Sequence, residues 1–165
     1  MLLEAIRLLK PTNSDIKLAI RGNGVLKGQI EQFIETHSLQ KNVIFLPRVT
    51  DSSQMPELYN QAKMLVCAST VEGNPRVTIE AMACGTPVIS TRVGIMPEVI
   101  QDGENGLLVD WDVQEIASAI RQLLDDSDFY QKIAQAGQES VKRFEAETII
   151  REYATAYHQI IAKHN

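Results

Sequence analysis

Short apolar runs alternate along the chain with longer segments whose hydrophobic residues recur every three to four positions. The first pattern suits buried strands and the second amphipathic helices. The opening MLLEAIRLLKP reads as an amphipathic helix stopped by Pro11. Beyond it the pattern predicts strands at 16–21, 43–46, 64–68, 87–91 and 106–109, and helices at 25–36, 55–61 and 113–124. One or two more helices fall within 128–144, and a last one at 148–163 carries Ile149, Ile150, Tyr153, Ala156, Tyr157, Ile160 and Ile161 as a broad apolar stripe. Asp102-Gly103 and Asn105-Gly106 read as turns. Strands and helices in alternation specify a mostly parallel sheet covered on both faces, a three-layer α/β/α arrangement. Neither a repeat nor a long linker interrupts it, so a single domain is expected over 1–165.

Composition narrows the function classes. A chain of 165 residues with 44% hydrophobic and 22% charged positions is ordinary for a globular domain, and it can bury on the order of two-thirds of its unfolded surface. The net charge of −5 argues against broad nucleic-acid binding, so any phosphate recognition has to be local. No stretch approaches the roughly 20 uninterrupted apolar residues of a membrane span, and the charged start does not resemble a secretory signal. A cytoplasmic or membrane-peripheral location is therefore expected. Cys67 and Cys84 lie among apolar neighbours without CxxC spacing, which favours buried free thiols over a disulfide or metal pair. His37, His158 and His164 show no ligand spacing with one another, and no metal site or cofactor is expected.

The candidate chemistry is concentrated in residues 72–106, EGNPRVTIEAMACGTPVISTRVGIMPEVIQDGENG. Asn74 is a favoured helix N-cap type and Pro75 suits the first helical position, which predicts a helix starting there. Its first amides, at about Arg76, Val77 and Thr78, would present partial positive charge to a phosphate. Gly73 lets a ligand approach the backbone. Glu72 lies just before this helix and Glu80 about one and a half turns inside it, flanking whatever rests at its N-terminus. Each carboxylate can accept paired hydrogen bonds from a vicinal diol, and a sugar and a ribose each supply one. A nucleoside-diphosphate sugar meets all three requirements. Arg76 either offsets the repulsion between these carboxylates and a diphosphate or points into solvent. The competing interpretation makes Glu72 a loop carboxylate, Glu80 a solvated helix residue and Arg76 their surface counter-ion. The small-residue segment 81–85 then ends the helix at a glycine, and a loop at 92–97 leads from the next strand into a short helix.

Ligands of open parallel sheets sit beyond the carboxyl ends of the strands. Three further loops meet that criterion. Arg21-Gly22-Asn23-Gly24 follows the first strand, where a lone Gly-Asn-Gly serves as a plain turn or a ligand loop. Pro47-Arg48-Val49 follows the second. The loop at 92–96 follows the fourth, where Arg92 either reaches a diphosphate or stays at the surface.

The Glu, seven residues, Glu spacing followed by AMACGTPVI, a glycine loop, PEVI and DGENGLLV resembles the retaining glycosyltransferases of group 1, also called family four. The resemblance covers about 2–161 and implies the Rossmann-like C-terminal, donor-binding half of a GT-B fold. It implies a catalytic position for Glu72 near the reacting carbon, and Glu80 as the carboxylate that holds the ribose. Gly73, Asn74 and the backbone through Thr78 would line the sugar and diphosphate, and Arg48 and Val49 would contact the base. The family often has two glycines where this chain reads Gly94-Ile95, so the resemblance implies a donor contact at Gly94, while Ile95 departs from the pattern of close backbone approach. Its diphosphate-gripping Arg and Lys pair lies upstream of the segment matched by Leu2, together with a strand that occupies the centre of the sheet. With that strand missing, the first and third strands should close up directly, or another chain should supply the pairing.

The implied activity is metal-independent hexosyl transfer from a UDP-, GDP- or ADP-sugar, with little or no transfer by this chain without an N-terminal GT-B domain to hold the acceptor. The alternatives are a nucleotide-sugar sensor, a subunit of a split transferase, or an inactive truncated fragment.

Overall fold

The computed structural model describes residues 1–22 and 24–164, the side chains of residues 163 and 164 excepted. Asn23, central to the expected turn after the first strand, lies outside the described residues. The alternating pattern resolves into α1 (Leu2–Leu9), β1 (Leu18–Arg21), α2 (Lys27–Thr36), β2 (Val43–Leu46), α3 (Met55–Gln61), β3 (Leu65–Cys67) and α4 (Arg76–Ala83). After these come β4 (Val88–Thr91), α5 (Met96–Val99), β5 (Leu107–Val109), α6 (Val113–Asp125), α7 (Ser127–Ser140) and α8 (Ala146–His164). Single 3₁₀ turns occupy Ser52–Gln54 and Lys142–Phe144. The expected bounds of β2 and α3 coincide with the observed ones, and the other strands are shorter by one or two residues. The two long C-terminal helices before α8 start on acidic caps. Asp112 accepts from the amides of Gln114 and Glu115 at 2.8 and 3.0 Å, and Asp126 from that of Phe129 at 2.9 Å, each cap worth about 1 kcal/mol.

All strand pairs are parallel, as the α/β pattern requires, but they form two sheets. One is β1–β2 and the other β3–β4–β5. Direct closure of the first strand on the third, one of the two expected outcomes, is not what the fold does. The two sheets are joined by apolar packing under α1 instead of by a ladder. Ala5, Ile6 and Leu9 of α1 share one core cluster with Ile16 and Val43 beside the first sheet and with Ile89, Leu107 and Val109 of the second. The edges of β1 and β3 away from β2 and β4 carry no strand among the described residues.

β4 is the centre of the larger sheet and is buried at every position. The two-residue period of a strand sends Ile89 into the cluster beneath α1 and α6, and Val88 into a second cluster with Met82 of α4, Met96 and Val99 of α5, and Tyr59 of α3. Both faces of the sheet are thus covered, and each fully buried Val or Ile contributes about 1.5–3 kcal/mol. α8 forms as its period predicts, yet its stripe residues Ile150, Tyr153 and Tyr157 are exposed. No helix among the described residues is long and apolar enough to cross a membrane.

Candidate donor site at the start of α4

β3 delivers the chain to the loop that holds Glu72, and β4 supplies the anchor for that loop. Thr91 at the end of β4 donates its hydroxyl towards the carbonyls of Ser69 at 2.6 Å and Cys67 at 3.2 Å, the first half-buried and the second buried, which fixes the turn leaving β3. Ser69 Oγ in turn lies 3.4 Å from Glu72 Oε1, an exposed and longer contact. Glu72, Gly73 and Asn74 are exposed.

Helix α4 starts one residue later than its sequence suggests. Pro75, with φ −72° and ψ 81°, takes the cap position, and Asn74 makes no side-chain cap. The reason lies in a tighter turn. The Arg76 amide donates to the Asn74 carbonyl at 2.9 Å, and both the amide and the hydroxyl of Thr78 donate to the Pro75 carbonyl at 3.0 and 2.6 Å. The Thr78 side chain is therefore turned inward, fully buried against Met96 Sδ at 3.0 Å. The Val77 N–H has no acceptor among the described residues.

Gly73 and Gly94 divide the work that close backbone approach requires. A Cβ on Gly73 would meet nothing within 4 Å, so the protein itself leaves that side open. Gly94, with φ +51°, faces the opposite situation, its space being taken by the carbonyl of Gly73. The Ile95 amide donates to the same Gly73 carbonyl at 3.2 Å. The loop after β4 thus braces the Gly73–Asn74 peptide from behind.

Glu80 is held on one oxygen and faces a cation at the other. The phenol of Tyr59, on α3, donates to Oε2 at 2.9 Å, and Arg76 Nη2 stands 3.7 Å from Oε1. The Arg76 side chain is 83% exposed, so its ion pair is a weak surface contact. Burial, and then the bond to Glu80 and its charge, push the Tyr59 phenol well above the usual tyrosine range. Burial first and the Glu80 charge second raise the Cys84 thiol in the same direction. Nothing in the local sequence pattern singles out Tyr59. Its signal was available in principle, because a tyrosine on the apolar side of a short helix needs a partner for its hydroxyl.

Gly22 closes β1, and Arg48 and Val49 leave β2, so both loops lie at the carboxyl ends of the smaller sheet. Gly22 and Arg48 are exposed and Val49 is half-buried. Arg21 reaches from the end of β1 to Met55 Sδ on α3 at 3.0 Å, linking the smaller sheet to the helix that carries Tyr59. Arg92 pairs with Asp110 at 3.3 Å, an exposed pair joining the ends of β4 and β5. Cys67 and Cys84 are free thiols. Among the described residues, no group of three or more His, Cys, Asp or Glu is placed to hold a metal. Two shallow cavities, of about 370 and 350 Å³, lie elsewhere, one between β5 and α6 and the other between α2 and β2.

The chain is 34% identical over 152 residues to the N-acetyl-alpha-D-glucosaminyl L-malate synthase of Bacillus anthracis, a match covering 91% of this chain and 39% of that protein. The crystal structure of the C-terminal domain of a glycosyl transferase group 1 family protein from Francisella tularensis superimposes with a TM-score of 0.78 at 34% identity, over 85% of this chain and 75% of that one. The Anabaena protein HepE, solved in complex with UDP, superimposes with a TM-score of 0.84 at 27% identity, over 96% of this chain and 44% of that one. The same protein has been solved with UDP-glucose. The chain spans about two-fifths of the length of the first curated relatives it matches, 39% and 41%. The family model described as Glycosyl transferases group 1 matches residues 1–140, and the chain belongs to that family.

Proposed function

We propose that this domain binds a nucleoside-diphosphate sugar at the start of α4 and acts as the donor half of a retaining hexosyltransferase. One observation carries the reading. Between two acidic side chains, the backbone presents an unbonded amide at Val77 and open space at Gly73, where the fold itself has no use for a glycine. In this reading the Val77 amide and the helix dipole take the diphosphate. Glu72 takes hydroxyls of the sugar near the reacting carbon, and Glu80 takes the ribose diol. The complexes of HepE with UDP and UDP-glucose support the choice of ligand.

Residues 1–165 serve as one nucleotide-sugar-binding unit, the C-terminal half of a GT-B arrangement. The second half would supply the acceptor site and cover the exposed Tyr153 and Tyr157 of α8. The open edges of β1 and β3 favour a chain completed by a further strand, either from an N-terminal GT-B domain or through self-association. By itself the 165-residue chain then binds donor weakly and transfers little or nothing.

Calorimetric titration of the chain with UDP-, GDP- and ADP-sugars tests the proposal. One of the three should bind, and Glu80→Ala should abolish that binding. An effect of Glu80→Ala no larger than that of a surface substitution would return Glu80 to the role of a solvated helix residue.

A further inference from the structure

The Tyr59 hydroxyl touches the carboxylate on which the nucleotide reading depends, and it comes from a different element. Tyr59 is 5% exposed and sits on α3, twenty-one positions before Glu80. Two bonds fix α3 against the α4–β4 unit. One is the phenol of Tyr59 to Glu80 Oε2 at 2.9 Å, and the other runs from Thr86 Oγ1 to the Tyr59 carbonyl at 2.9 Å. Burial of the ring fixes the position of the phenol oxygen, so Glu80 Oε2 meets a donor whose place is set by the fold.

We infer that Tyr59 is a positioning residue for the nucleotide. It fixes one oxygen of Glu80 so that the carboxylate meets a ribose diol in a single orientation. The inference rests on the reading of Glu80 as the ribose-binding carboxylate. A carboxylate offers about four acceptor positions. Tyr59 occupies one on Oε2, and Arg76, at 3.7 Å and largely in solvent, makes no comparable claim on Oε1. Enough positions are left for two ribose hydroxyls. A glutamate on a half-exposed helix face otherwise samples several rotamers, and ordering such a side chain on binding costs conformational entropy. Tyr59 meets that cost during folding. The neighbouring groups fit this role. Burial and the bond to Glu80 outweigh the opposing charge of Arg21 and keep the Tyr59 phenol a donor, and burial with the Glu80 charge keeps the Cys84 thiol protonated.

The test measures how strongly the protein prefers a ribose over its dideoxy counterpart. UDP, GDP and ADP, each paired with its 2′,3′-dideoxy form, are titrated into the 165-residue chain and followed by NMR shifts, for the wild type and for Tyr59→Phe, Glu80→Gln and Thr86→Val. The wild type is expected to prefer the ribose form of its nucleotide by about tenfold, and Glu80→Gln to bring the ratio near one. Tyr59→Phe should lower the ratio to about two- or threefold by weakening the ribose form alone, leaving dideoxy affinity unchanged. Thr86→Val loosens α3 without touching the phenol and should keep the wild-type ratio whatever it does to the unfolding midpoint. A wild-type ratio in Tyr59→Phe, with Glu80→Gln near one, overturns the inference and leaves the ribose reading standing. An equal drop in Thr86→Val and Tyr59→Phe also overturns it, since loosened packing then explains both. A ratio that Glu80→Gln does not change overturns the ribose reading itself, and failure of all three nucleotides to bind removes the nucleotide reading, the inference falling with it in either case.

Discussion

Gly94 lies so close behind Gly73 that a Cβ built on it would sit 2.0 Å from the Gly73 carbonyl oxygen and 2.7 Å from that of Glu72. Backbone atoms cannot yield as a flexible side chain can, and the φ of +51° adds its own strain for any L-residue. Gly94→Ala is therefore expected to cost about 1–3 kcal/mol in urea denaturation and to displace the Glu72 loop. Gly73→Ala is the converse. With nothing within 4 Å of the new methyl, its stability should stay within about 0.5 kcal/mol of wild type, while donor affinity falls because the methyl enters the space proposed for the ligand. Equal stability loss in both variants would show that the two glycines are not on opposite sides of this peptide.

Thr91 supports the same loop from below. Thr91→Val keeps the shape of the side chain but removes the donor to the Ser69 and Cys67 carbonyls. Leaving a buried acceptor unmatched costs about 1–3 kcal/mol, and thermal or urea unfolding should show a loss in that range. Donor binding should weaken as well, because the loop that carries Glu72 loses its tether. A neutral Thr91→Val would mean that water replaces the hydroxyl at both carbonyls.

The strands and helices were legible because their periods differ and because breakers mark their ends. The run VIFL and the segment MPELYNQ gave β2 and α3 with their observed bounds. Gly85, with φ +74°, ends α4 as a glycine after a small-residue turn is expected to. Asn74 misled for a definite reason. Cap preference describes what a side chain can do, but Thr78 had already closed the turn on the Pro75 carbonyl. A glycine in sequence signals a close approach without saying what approaches, and at Gly94 the structure puts the Gly73 carbonyl there. Glu80 was legible from its spacing. Its partner Tyr59 was not, because a contact between separate elements has no local pattern. The split of the sheet depends likewise on which strands become neighbours, and no single run of residues encodes that.

Tyr59 also makes an alkaline prediction. Its folded pKa lies above the unfolded value of about 10. Above that pH the unfolded chain sheds the proton while the native chain keeps it, so the unfolded state binds fewer protons and stability falls as pH rises. The contribution is complete below about pH 10. Tyr130, raised by burial, and Lys142, raised by its hydrogen bond to Glu139, act with the same sign. Urea midpoints should therefore decline above about pH 10, less steeply in Tyr59→Phe than in wild type. Parallel slopes for the two proteins would show that the Tyr59 proton is held no more tightly in the native state than in the unfolded one.

Hydrogen exchange can read the open edges of the two sheets directly. The Leu18 amide donates to the Asn42 carbonyl and the Leu65 amide to the Pro87 carbonyl. Since alternate residues of a parallel strand address alternate neighbours, Ala19 on β1 and Val66 on β3 point their amides away from β2 and β4. Residues of β4 have ladder partners on both sides. Ala19 and Val66 should then exchange faster than Ile89 by about a thousandfold or more in dilute protein, the difference between local and global opening. If self-association supplies the missing pairing, both amides should slow together as protein concentration rises, and a strand from an N-terminal domain should slow them at any concentration. Protection of Ala19 and Val66 equal to that of Ile89 in the dilute monomer would mean that β1 and β3 pair with each other after all, contrary to the two-sheet topology.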